Sequence, residues 1–129
     1  MKAFPFITRP IAVTIFRVVL ALLLAAHGVM RIYVGTVDDF GVFLNNKGFF
    51  IGPAIAWFLT IFEIAGGICM AMGFFVRWIS AVFMFEIAMG IVLVHAKNGW
   101  FVVGHQVGGV EYSVLIFVSL LLVAATSKT

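Results

Sequence analysis

The sequence predicts an all-α fold, an integral membrane four-helix bundle with both termini in the cytoplasm. Of the 129 residues, 64% are hydrophobic and only 10% are charged, too little charge to solvate a water-soluble domain of this size. The apolar residues also gather into four segments, near 11–34, 53–76, 78–95 and 107–125, close to the roughly 20 residues that a hydrocarbon core requires. Finally, the basic residues of the connections divide unevenly. Lys2, Arg9, Arg77 and Lys128 fall on one side, while Arg31, Lys47 and Lys97 fall on the other, diluted by Asp38 and Asp39. The preference for basic loops inside places the first set in the cytoplasm. One transmembrane domain spanning 1–129 uses the whole length.

The first segment follows Lys2 and Arg9, as a signal peptide would. It carries Arg17 within it and runs on to Val34, too long for a cleavable apolar region, so a retained helix is expected. Pro53 opens the second segment, where proline suits the first turn of a helix. "GFFVRW" (73–78) leaves room only for a tight hairpin between the second and third. The connections 35–52 and 96–106 are longer and are expected as outward-facing loops. Their "KGFFIG" and "NGWFVVG" stretches fit either a duplicated helical hairpin or two ordinary interfacial loops. Phe49, Phe50, Trp100 and Phe101 fit either interfacial anchors or the mouth of an apolar pocket.

Ionisable residues inside spans are costly and normally face inward in pairs. At 100° per residue Arg17, Leu20, Leu24, His27 and Arg31 fall within about 80° of one another, giving the first helix one polar edge. Thr60, Glu63, Gly66, Gly67 and Met70 form a similar stripe on the second helix, and the glycine pair permits close helix approach. Counting depth along each helix suggests three layers. Arg17 and Glu86 form an inner structural ion pair. His27 and Glu63 meet deeper in, where an imidazole and a carboxylate can hold or relay a proton, which makes them the catalytic candidates. Arg31, His95 and Glu111 gather near the outer surface, as substrate-binding groups or as charges snorkelling to water.

Several functions are excluded. The net charge of +3 comes from scattered residues, so no basic stripe points to nucleic acid. Cys69 is the only cysteine, which rules out an internal disulfide, a CxxC redox pair and a thiolate zinc site. His27, His95, Glu63 and Glu111 are suitable metal ligands by type, but their spacing follows no metal motif and no metal is expected.

"HGVMR" (27–31), "EIAGG" (63–67), "GFFVRW" (73–78), "VHAKNGWF" (94–101) and "GGVEYSVL" (108–115) together resemble the DoxX family of small four-helix membrane proteins. The resemblance implies a four-helix bundle in the cytoplasmic membrane. Some relatives are subunits of thiosulfate:quinone oxidoreductase, and others associate with thiol-stress enzymes. It also marks His27, Glu63, Arg77, His95, Asn98, Gly99 and Glu111, and so adds Asn98 to the substrate-binding candidates. Arg31 stands where the family usually has lysine, and Glu86 where it usually has an apolar residue.

The expected function is therefore a membrane subunit of a quinone-linked redox system, with a quinone head group near His27 and Glu63. Quinone reduction takes up two protons with two electrons, which a buried imidazole and carboxylate can deliver. No haem, flavin or iron–sulfur motif is present, so a redox-enzyme partner or the substrate must supply the electrons. The rival expectation is a non-enzymatic module: a small transporter, a scaffold or a binder of hydrophobic ligands. Both share the lipid bilayer as a partner, and both are compatible with a homo-oligomer.

Overall fold

The structure, a computed structural model, describes residues 3–129, and among these the regular elements are all helical. They are α1 (Arg9–Val34), α2 (Val37–Asn46), α3 (Gly52–Met72), α4 (Val76–Gly90) and α5 (Glu111–Thr126). A π-helical turn, Ile91–His95, and a 3-10 turn, Ala96–Asn98, extend α4 without a break. Lys2, part of the expected inner charge set, lies outside the described residues.

Three helices are long and apolar enough to cross a membrane: α1, α3 and the continuous stretch Val76–Asn98. The fourth segment is shorter than expected. Its helix starts at Glu111 because 107–110 belong to the preceding loop, and its 16 residues reach only about 24 Å at 1.5 Å per residue. The membrane-facing character of the assembly is visible in its surface. Ile15, Val19, Leu22, Phe58, Ile61, Phe85, Leu115 and Leu122 are all exposed, a pattern suited to a lipid solvent.

The connection 35–52, expected as a loop, contains helix α2. Gly35 closes α1 in the left-handed conformation (φ 79°), and the Gly35 and Thr36 amides return to the Ile32 and Arg31 carbonyls. This is a helix stop that favours glycine. The chain restarts at once with Asp38 and Asp39 in the first turn of α2, where acidic side chains suit the positive helix end. Val37, Gly41 and Leu44 form its buried face. α2 packs on α3 through Val37, Leu44 and Ala56, and Asn45 Oδ1 accepts the Gly52 amide at 2.8 Å.

α1 and α3 approach closely through glycines. A Cβ at Gly67 would lie 2.8 Å from the Ala21 carbonyl oxygen and the Ala25 methyl, whereas one at Gly66 would meet Phe62 and Ile79. Each glycine of the pair thus serves a different neighbour. α3 and α4 also meet well along their hairpin, where Phe62 packs edge-on to Phe83 with centroids 5.1 Å apart. Leu20, Ala21 and Leu24 of α1 join Met70, Ile79, Phe83, Leu120 and Val123 in the main core, with Cys69 partly buried against it. The carboxy-terminal residues dock on the hairpin turn: Arg77 Nε donates to the Ser127 carbonyl at 2.9 Å, and Thr129 Oγ1 donates to the Gly73 carbonyl.

Residues 99–110 fold back on themselves rather than hanging free. The amides of Gly108, Gly109, Val110 and Glu111 bond to the carbonyls of Val102, Phe101, Gly99 and Trp100 respectively. A Cβ at Gly109 would strike the Trp100 and Phe101 carbonyl groups at 2.5–2.6 Å, so only glycine permits this close pairing.

Candidate functional site

Between the main core and the smaller cluster under α2 lies a cavity of about 380 Å³, within the size range of small-molecule sites. Its walls are largely apolar. α2 contributes Phe40, Phe43 and Leu44, α4 and its extension contribute Phe85, Met89 and Leu93, and α5 contributes Ile116. Two histidines and three charge-bearing side chains line it: His27 and Arg31 of α1, Glu63 of α3, Glu86 of α4 and His95 of the π turn.

Arg31 and Glu63 are at its centre. Arg31 Nη1 lies 2.8 Å from Glu63 Oε2, and Nη2 lies 3.4 Å from Oε1, a forked contact that suits a guanidinium. Nη1 also donates to Thr60 Oγ1 at 2.9 Å, and the Thr60 hydroxyl donates in turn to the Ala56 carbonyl. Phe40 of α2 covers the guanidinium at 4.8 Å, a cation–π contact. Gly28, next to His27, makes this possible. A Cβ there would lie 2.7 Å from the Thr60 carbonyl oxygen and 3.2 Å from Glu63 Cβ.

Glu63 is therefore paired with Arg31 and not with His27, which lines the same cavity one turn away and makes no hydrogen bond to a described residue. A helical side chain leans toward the amino-terminal end of its helix, so the long arginine reaches back to a depth that counting Cα atoms assigns to His27.

The expected Arg17–Glu86 ion pair is not formed. Arg17 Nη2 donates to the Ala71 carbonyl at 3.4 Å, and its guanidinium rests against Gly73. Glu86 instead lies near Glu63 and Arg31, on the same cavity. The turn is the cause. α3 stops at Met72, with Gly73 left-handed at φ 90°, and α4 starts at Val76. Glu63 and Glu86 are each ten residues from that turn, roughly 15 Å, and face each other across the hairpin. Arg17 lies level with the turn itself, about as far from the carboxyls.

The remaining candidates divide. His95 lines the cavity, and its Nδ1 lies 2.8 Å from the Gly108 carbonyl oxygen. Asn98 Nδ2 donates to that same oxygen at 3.3 Å, and Glu111 Oε1 accepts the Val102 amide at 2.9 Å. Asn98 and Glu111 hold the loop over the cavity and do not line it. Gln106, not singled out from sequence, does the same work by accepting the Trp100 and Phe101 amides. Thr60 was visible in the polar stripe of α3, but its partner was not.

The DoxX family model matches residues 12–96, about two thirds of the chain. The chain belongs to the DoxX family. The DoxX match includes His27, Arg31, Glu63, Glu86 and His95 of the cavity. It stops short of the loop and α5, which close the DoxX cavity on its far side. No curated protein and no solved structure matches the chain.

Proposed function

We propose that this DoxX protein is the membrane subunit of a quinone-linked redox system, and that it binds the quinone ring in the cavity between α1, α2, α4 and α5. The observation that carries this is the cavity's composition: aromatic and aliphatic walls converging on one cluster of ionisable groups. The donor set fits a quinone. A flat apolar ring suits Phe40, Phe43 and Phe85, while His27 can meet a ring oxygen and His95 a ring hydroxyl. A bound quinone supplies a site that takes up two electrons and two protons. The chain's own residues hold and orient the ring, exclude water from it and keep protonatable groups beside it. Electrons come from a partner enzyme or from the substrate.

Organic extraction of protein purified in mild detergent tests this. The expected result is quinone recovered at close to one per chain, and lost from a Phe43→Asp variant that places a charge in the cavity wall. Recovery of phospholipid alone would overturn it and favour the non-enzymatic reading as transporter or scaffold. That rival draws support from the Arg31–Glu63 fork, which can serve purely to hold α1 on α3.

We also propose that the chain spans the cytoplasmic membrane four times, as one transmembrane domain over 1–129, with both termini inside and α2 outside. Arg9, Arg77 and Lys128, the described members of the inner charge set, support this orientation. In a Cys69→Ala background, Asn46→Cys should react with an impermeant maleimide on intact cells. Labelling only after lysis would reverse the orientation.

A further inference from the structure

The polar groups of the cavity are not equally free to meet a ligand. Arg31 commits Nη1 to Thr60 and Glu63, and Nη2 contributes to the same fork. Glu86 lines the same cavity, and its Oε2 is sequestered from solvent with no donor among the described residues. A carboxyl oxygen without a donor is an acceptor left for a ligand.

His95 points the same way. A carbonyl oxygen cannot donate, so the ring nitrogen facing Gly108 carries the hydrogen. In the neutral imidazole Nε2 is then a lone-pair acceptor. His27 of α1 and Tyr112 and Ser113 of α5 also line the cavity, and each can donate or accept, so they do not discriminate. α2 brings only apolar side chains to it, Phe40, Phe43 and Leu44.

We infer that the cavity selects a ligand bearing a hydroxyl donor on an apolar ring, the phenol or quinol type, which it grips through the Glu86 carboxyl and His95 Nε2. This rests on the proposed function and sharpens it, since of the two forms of a quinone only the reduced one carries hydroxyl donors. The reduced form is therefore the one held more tightly.

Binding of 4-octylphenol and its methyl ether, 4-octylanisole, to the purified full chain at neutral pH separates the two ideas without redox chemistry. The pair matches in apolar bulk and differs in the donor. One hydrogen bond contributes about 0.5–1.5 kcal/mol, so the phenol should bind roughly two- to tenfold tighter. Glutamine keeps a carbonyl oxygen that can accept from the ligand. Glu86→Gln should accordingly keep the preference, whereas Glu86→Leu should reduce it severalfold. Equal binding of phenol and ether, or a preference unchanged in Glu86→Leu, would overturn the inference while leaving the cavity as a binding site. Failure of both probes to bind would overturn the inference and the proposed function together.

Discussion

Replacing Glu63 and Glu86 together by glutamine should destabilise the protein by about 3–5 kcal/mol, the usual cost of leaving a buried charge without its partner. Either replacement alone should cost clearly less. The asymmetry follows from the chemistry of the cluster. Arg31 cannot lose its proton in a protein, so one negative charge must remain within reach. When Glu63 is replaced, Glu86 is the carboxylate that remains near Arg31 and serves as the counter-charge. When Glu86 is replaced, the Arg31–Glu63 fork at 2.8 Å is untouched. Only the double variant leaves the guanidinium beside Thr60 and Phe40 with no anion. Unfolding midpoints of the four-member set in mixed micelles would show this as a loss larger than the sum of the single losses. Additive single losses, or a double variant as stable as the native chain, would show that the two carboxyls do not substitute for one another.

Gly28→Ala should be clearly damaging, and Gly90→Ala benign. At Gly28 the added carbon would lie 2.7 Å from the Thr60 carbonyl oxygen and 2.8 Å from Ile64 Cγ1. Backbone of α3 cannot give way as a side-chain tip would, so α1 and α3 must separate. Overpacking of this kind costs about 1–3 kcal/mol. The damage should also reach the site, because Thr60 both blocks the methyl and accepts a hydrogen bond from Arg31. At Gly90 a Cβ meets nothing within 4 Å and φ is −61°, so alanine should leave stability unchanged or raise it by about 0.5–1 kcal/mol through reduced chain entropy. Thermal unfolding of the two variants side by side checks the contrast. Equal stability would mean that the α1–α3 contact is looser than the coordinates have it.

Composition and periodicity alone decided the helical membrane class, because a chain with so little charge has no way to cover itself in water. The same arithmetic put His27 and Arg31 on one edge of α1, and Glu63 beside the glycines of α3, since residues 27, 31, 63, 66 and 67 each belong to a repeat of 3.6 within one helix. Helix α2 was also legible in principle. Acidic residues in its first turn and the Val37–Phe40–Leu44 spacing are ordinary helix signals, although ten residues are too few to cross a membrane. Partnership between helices was another matter. Which carboxyl faces Glu63 depends on where α3 stops. Ending it at Gly73 rather than at Val76 shifts every depth by about 4.5 Å, enough to take Arg17 away from Glu86 and bring Glu86 to Glu63. Periodicity sets the angle of a side chain about its own axis. The distance across to another helix comes only from turns, glycine contacts and the reach of each side chain, and these decided that Arg31 rather than His27 meets the buried carboxylate.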